Sequence, residues 1–87
     1  MKATYDYKKV VGNVVRERRQ KLGKSRLYIA NTAGIDPSYL ASIEGGKRNP
    51  SYEVLLQVAM ALGTVPSELS KEIERGLLPL FEENKDL

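Results

Sequence analysis

The chain has no cysteine, no histidine and no tryptophan, and a single phenylalanine among 87 residues. Without cysteine there is no disulfide and no thiolate metal ligand. Without histidine the commonest general base and the commonest metal ligand are both missing. These absences turn the reading away from an enzyme before any motif is considered. No apolar run approaches the ~20 residues that a membrane-spanning helix needs. The opening stretch, Met-Lys-Ala-Thr-Tyr-Asp-Tyr-Lys-Lys, lacks the apolar core of a signal peptide. The expectation is a cytoplasmic protein with no membrane contact, no metal and no cofactor. Its length suits one small domain, which buries about 60% of its unfolded surface.

Charge is plentiful but uneven. Residues 1–48 hold eleven Lys/Arg against four Asp/Glu, a net of +7, and residues 49–87 hold three against seven, a net of −4. The basic half is suited to an anion, and nucleic acid is the leading candidate. The plainer alternative is a domain with uneven surface charge.

Gly, Pro and capping residues divide the chain into short helical segments, and strand patterns are weak. The first helix is predicted from about Asp6 to Leu22, with Val11, Val14, Val15 and Leu22 on one apolar face, and it stops at Gly23. Ser25 caps a second over Arg26–Ala33, with Leu27, Ile29, Ala30 and Ala33 apolar. Asp36 caps a third from Pro37, the favoured first position for proline, to about Ile43. "GGKRNP", residues 45–50, reads as a loop. Ser51 caps a fourth helix, with Leu55, Val58, Ala59 and Leu62 inward. A fifth is predicted from about Pro66 to Arg75, with Leu69 and Ile73 inward, ended by Gly76. Five helices this short cannot stack lengthwise, so the predicted fold is an all-α orthogonal bundle. It divides into a domain over residues 1–75 and a C-terminal tail or extension over 76–87.

Arg26 to Ile43 forms one unit. Ala30 is small where two helices must cross closely, and Gly34 stands where positive φ is needed. Ile29, Ala33, Ile35, Leu40 and Ile43 are apolar at the spacing of two steeply packed helices. This is a helix-turn-helix pattern; the plainer alternative is a generic helical hairpin. Gly45-Gly46-Lys47 has part of a phosphate-binding loop but lacks its leading Gly and following Ser/Thr.

The wider sequence, "VVRERRQKLGKSRLYIANTAGIDPSYLASIEGGKRNPSYEVLLQVAMALG", resembles the lambda-repressor-like (Cro/CI-type, XRE) helix-turn-helix family. The likeness spans about Val11 to Leu69. Its most distinctive run, "YLASIEGGKRNPS", is similar to that of restriction–modification controller proteins, where Tyr-Ile-Ser-x-Ile-Glu followed by Arg-Asn-Pro-Ser is common. The resemblance implies that the third helix enters the major groove of double-stranded DNA. It assigns Pro37, Ser38 and Ser42 to base edges, with Tyr39 and Ala41 beside them. It assigns phosphate contact to Arg26, where the family often has Gln, and to Lys47, Arg48 and Asn49. It also implies a structural salt bridge between Arg19 and Glu44, which would orient the recognition helix. Arg16, Arg18, Lys21 and Lys24 read instead as a solvated face, and Lys8 and Lys9 as a flexible arm or phosphate contacts. Tyr5, Tyr7 and Tyr28 are candidate interface residues, and Tyr52 a candidate for packing or a phosphate contact.

The resemblance also implies dimerisation through the fifth helix and the residues after it. There Val65, Leu69, Ile73, Leu77, Leu78, Leu80 and Phe81 offer more apolar surface than one small core needs. The function implied is a sequence-specific transcriptional regulator, of repressor or controller type, binding a palindromic operator as a homodimer. The acidic second half then faces away from DNA, toward RNA polymerase or another protein partner. A second reading, from a different class, is an antitoxin whose tail after Gly76 contacts a toxin.

Overall fold

A computed structural model describes residues 6–84, with side chains described as far as Pro79. Five helices follow in order: α1 Tyr7–Leu22, α2 Arg26–Ala33, α3 Pro37–Glu44, α4 Tyr52–Ala61 and α5 Pro66–Asn84. Among the described residues there is no strand. Four of the five helices start at a local cap. The Asp6 carboxylate accepts from the Lys9 N–H, Ser25 from Tyr28, Asp36 from Ser38 and Ser51 from Val54. Each cap satisfies an N–H that the first helical turn leaves without a partner.

α1 packs on α3 and α5, α2 packs on α3 and α4, and α4 packs on α5. The interior is apolar: Val11 and Val15 of α1, Ile29 and Ala30 of α2, Leu40 and Ile43 of α3, Val58 and Ala59 of α4, and Leu69 of α5 are all almost wholly buried. Two apolar residues of the predicted helices lie outside it. Leu27 is exposed, because it sits about 200° around α2 from Ile29. Leu22 is also exposed and borders an open groove beside Leu62 and Gly63 at the end of the bundle. The third place in the α1 stripe, after Val11 and Val15, is taken by a buried arginine, Arg19.

α5 departs most from expectation. Gly76 does not end it; the helix runs through Gly76 and Pro79 to Asn84, so the expected boundary between residues 75 and 76 falls inside a helix. Packing carries the helix past Gly76. Leu69, Ile73 and Leu77 are spaced four apart and form one buried stripe, with Leu77 only 8% exposed. Burying a leucine contributes roughly 2 kcal/mol, which outweighs the ~1 kcal/mol cost of an interior glycine. Gly76 also lets α1 approach: a Cβ there would meet Cγ1 of Val10 at 2.6 Å.

That stripe corrects the expected dimer surface. Leu69, Ile73 and Leu77 belong to the core of this chain and are not free to form an interface. Val65 and Leu78 remain open, each 55% exposed. Leu80 and Phe81 lie outside the described side chains, and Tyr5 outside the described residues.

Candidate nucleic-acid interface

The helix-turn-helix unit is built by one turn and one close approach. Gly34 takes φ 77°, the left-handed conformation that lets the chain reverse between α2 and α3. Gly12 of α1 lies buried against the C-terminal end of α3, where an added Cβ would fall on the carbonyl oxygen of Ile43 and close to that of Glu44. The backbones of α1 and α3 therefore pass in near-contact.

The residues expected at base edges differ in what they offer. Pro37 and Ser38 are exposed at the start of α3, and Ala41 and Ser42 are half-buried. The Ser38 hydroxyl donates to Asp36 Oδ1 at 2.5 Å, and the Ser38 N–H donates to the same oxygen at 2.8 Å. Ser38 is thus part of the helix cap, and its hydroxyl is left with acceptor capacity. These bonds, the hydroxyl's first, hold the exposed Asp36 carboxyl below its ordinary pKa. Tyr39 is half-buried and packs on the core. Its ring carries the Arg48 guanidinium, 5.2 Å from the ring centre, a cation–π geometry.

The loop after α3 presents Lys47, Arg48 and Asn49 to solvent. Gly46 within it rests on the start of α1; a Cβ there would lie 3.2 Å from Cα of Lys9. This contact sets Lys9 beside the basic loop. No local pattern announces that neighbourhood, because it joins residues 37 apart in the chain.

A buried ionic cluster holds α3 to the rest. Arg19 donates from Nε to Glu44 Oε2 at 2.6 Å and from Nη2 to Oε1 at 2.9 Å. Its Nη1 donates to the Lys24 carbonyl at 2.9 Å. The bonds to Glu44 raise the Arg19 pKa above its ordinary value, against the opposing effect of burial. Arg26 also reaches this carboxylate, donating from Nε to Oε1 at 3.0 Å; sequence reasoning did not find that bond. It also missed the α1–α5 pair, in which Arg18 Nε donates to Glu72 Oε1 at 2.6 Å. Arg18 is therefore a bridging residue rather than part of a freely solvated face. Lys24 stands over Tyr28, 4.7 Å from its ring centre. Tyr52 is largely exposed.

Among the described residues no group of His, Cys, Asp or Glu converges as metal ligands. None of the described helices is long and apolar enough to cross a membrane.

A short helix exposed at its N-terminal turn, preceded by a tight turn, flanked by a basic loop and held by a buried ion cluster, defines a DNA-binding helix-turn-helix unit. Residues 15–69 match the family model described as Helix-turn-helix, and the chain belongs to this family, as a transcription regulator of the lambda-repressor-like XRE type. It is 40% identical over 65 residues to an uncharacterized HTH-type transcriptional regulator of Sinorhizobium fredii, covering 74% of this chain and 83% of that one. It is 37% identical over 71 residues to the control protein C.MunI of a Mycoplasma species, covering 80% and 96%. Its fold matches the crystal structure of the restriction–modification controller protein C.AhdI of Aeromonas hydrophila with a TM-score of 0.71 and 37% identity, over 75% of this chain and 98% of that one.

Proposed function

We propose that this protein is a sequence-specific regulator of transcription, of repressor or controller type, that binds a palindromic operator as a symmetric homodimer. It acts on double-stranded DNA in the cytoplasm and performs no chemistry of its own. The observation that carries the reading is the set of contacts tying basic groups to α3: Arg48 stacked on Tyr39, and Arg26 bonded to Glu44. In this reading the N-terminal turn of α3 lies in the major groove, while Arg26, Lys47, Arg48 and Asn49 meet the flanking phosphates. Pro37 and Ala41 suit thymine methyls, and Ser38, Ser42 and Tyr39 suit polar contacts. Phosphate contacts supply most of the affinity and fix the register; the short helix supplies part of the specificity.

One helix of this length reads only a few base pairs. Two copies about 34–36 Å apart along one face of the duplex would double the site. The exposed Val65, just before α5, and Leu78 within it are the apolar side chains offered to a two-fold interface. Selection of bound duplexes from a random pool is expected to return an inverted repeat, and sedimentation at micromolar concentration a monomer–dimer equilibrium. A non-palindromic consensus bound by a strict monomer would sink the dimer reading.

Arg48→Ala is expected to weaken binding to every duplex, whatever its sequence. It should reduce the slope of log affinity against log salt by about 0.9 per bound subunit. Unchanged affinity at low salt would remove the loop from the interface.

A further inference from the structure

Glu44 is surrounded by more positive charge than it neutralises. Its side chain is 2% exposed, yet it accepts bonds from two guanidinium groups. Arg19 is fully committed to the interior, with Nε and Nη2 on the carboxylate and Nη1 on the Lys24 carbonyl. Arg26 is committed only in part. Its Nε is bound, its side chain is 52% exposed, and its two Nη nitrogens have no hydrogen-bond partner among the described residues. One carboxylate between two guanidinium groups leaves a net charge of +1. Two like charges held so near each other repel, and an added anion relieves that repulsion. The anion that fits is singly charged and planar or tetrahedral, able to accept from a guanidinium fork: a phosphate diester of the DNA backbone.

We infer that Glu44 is the positioning residue for a phosphate-binding Arg26. The buried carboxylate holds Nε and so presents the Nη fork, already oriented, at the start of α2. This rests on the DNA-binding function above and adds how one contact in it is built. The same carboxylate that fastens α3 to α1 aims a ligand on α2. The phosphate contact and the seating of the recognition helix therefore share one anchor.

Lysine cannot reproduce the arrangement. Its single ammonium, paired with Glu44, would occupy the place of Nε and fall short of the phosphate. The test measures affinity for a selected duplex between about 50 and 200 mM salt, using the full chain with Arg26→Ala, Arg26→Lys and Arg48→Ala. Arg26→Ala and Arg26→Lys should each lose roughly tenfold in affinity, as expected for one charge-assisted hydrogen bond. Each should also lose about 0.9 from the salt slope per bound subunit. Arg26→Lys should still melt close to the wild type, because its ammonium remains on Glu44. If Arg26→Lys binds like the wild type, Arg26 is only a point charge and the positioning role is overturned. If Arg26→Ala melts lower but binds with unchanged affinity and slope, Arg26 is purely structural and the inference is likewise overturned. Failure of the wild type itself to bind any duplex, with Arg48→Ala no different, would instead overturn the DNA-binding function.

Discussion

Gly12→Ala is expected to destabilise the domain by about 3 kcal/mol, lowering Tm by roughly 15 °C. On helix propensity alone the substitution would be favourable by about 1 kcal/mol, since glycine is a poor interior helix residue. Tertiary structure reverses the sign. The new Cβ would fall on the carbonyl oxygen of Ile43, with the Glu44 carbonyl close behind. Both are backbone atoms at the end of α3, so no rotamer change clears the space, and α1 and α3 must separate. That separation would pull Arg19 away from Glu44, so DNA affinity should fall together with stability. Gly76→Ala provides the contrast. The obstacle there is one methyl of the half-buried Val10 side chain rather than backbone, so the loss should be smaller. Thermal and urea unfolding of both variants checks this. A Gly12→Ala protein melting at or above the wild type would disprove the close approach of α1 and α3.

Removing Glu44 should cost as much or more. Glu44→Ala is expected to lose about 3–5 kcal/mol, the usual penalty for breaking a buried ion pair from one side. The penalty comes from what remains: a buried Arg19 guanidinium with only the Lys24 carbonyl as partner, and Arg26 adding a second positive charge nearby. Arg19→Ala should be somewhat milder, because Arg26 still partly compensates the buried carboxylate. Breaking the half-exposed Arg18–Glu72 pair by Arg18→Ala should cost about 1 kcal/mol or less, since solvent screens it. The ordering Glu44→Ala, then Arg19→Ala, then Arg18→Ala is the result to look for in urea unfolding. If Glu44→Ala lies within about 1 kcal/mol of Arg18→Ala, the cluster does not hold α3 in place.

Much of the candidate interface was legible in the residues. The likeness to lambda-repressor-like proteins pointed to Arg19 and Glu44 as a pair and to the basic loop at Lys47, Arg48 and Asn49. Legibility was poorer wherever one residue serves two neighbours. Arg26 read as a phosphate ligand alone, yet it also bonds Glu44 from 18 residues away. Ser38 read as a base contact, yet its hydroxyl is engaged in capping α3. Arg18 read as solvated, yet it bridges to Glu72, 54 residues on. Leu77 looked like surplus apolar surface only while α5 was expected to stop at Gly76; Leu69 and Ile73 read both as inward residues and as interface, and they are core.

Where the helices begin is written in the residues alone. Asp6, Ser25, Asp36 and Ser51 each act on an N–H two or three residues ahead, so the deciding chemistry lies within one turn. The reversal at Gly34 is equally local. Packing in three dimensions set how far α5 runs, which leucines remain exposed on it, why residue 12 must be glycine, and how one buried carboxylate serves two arginines. Those outcomes depend on contacts between residues far apart in the chain. Their energies, a leucine buried or a carbonyl overlapped, outweigh the local preferences that a sequence displays.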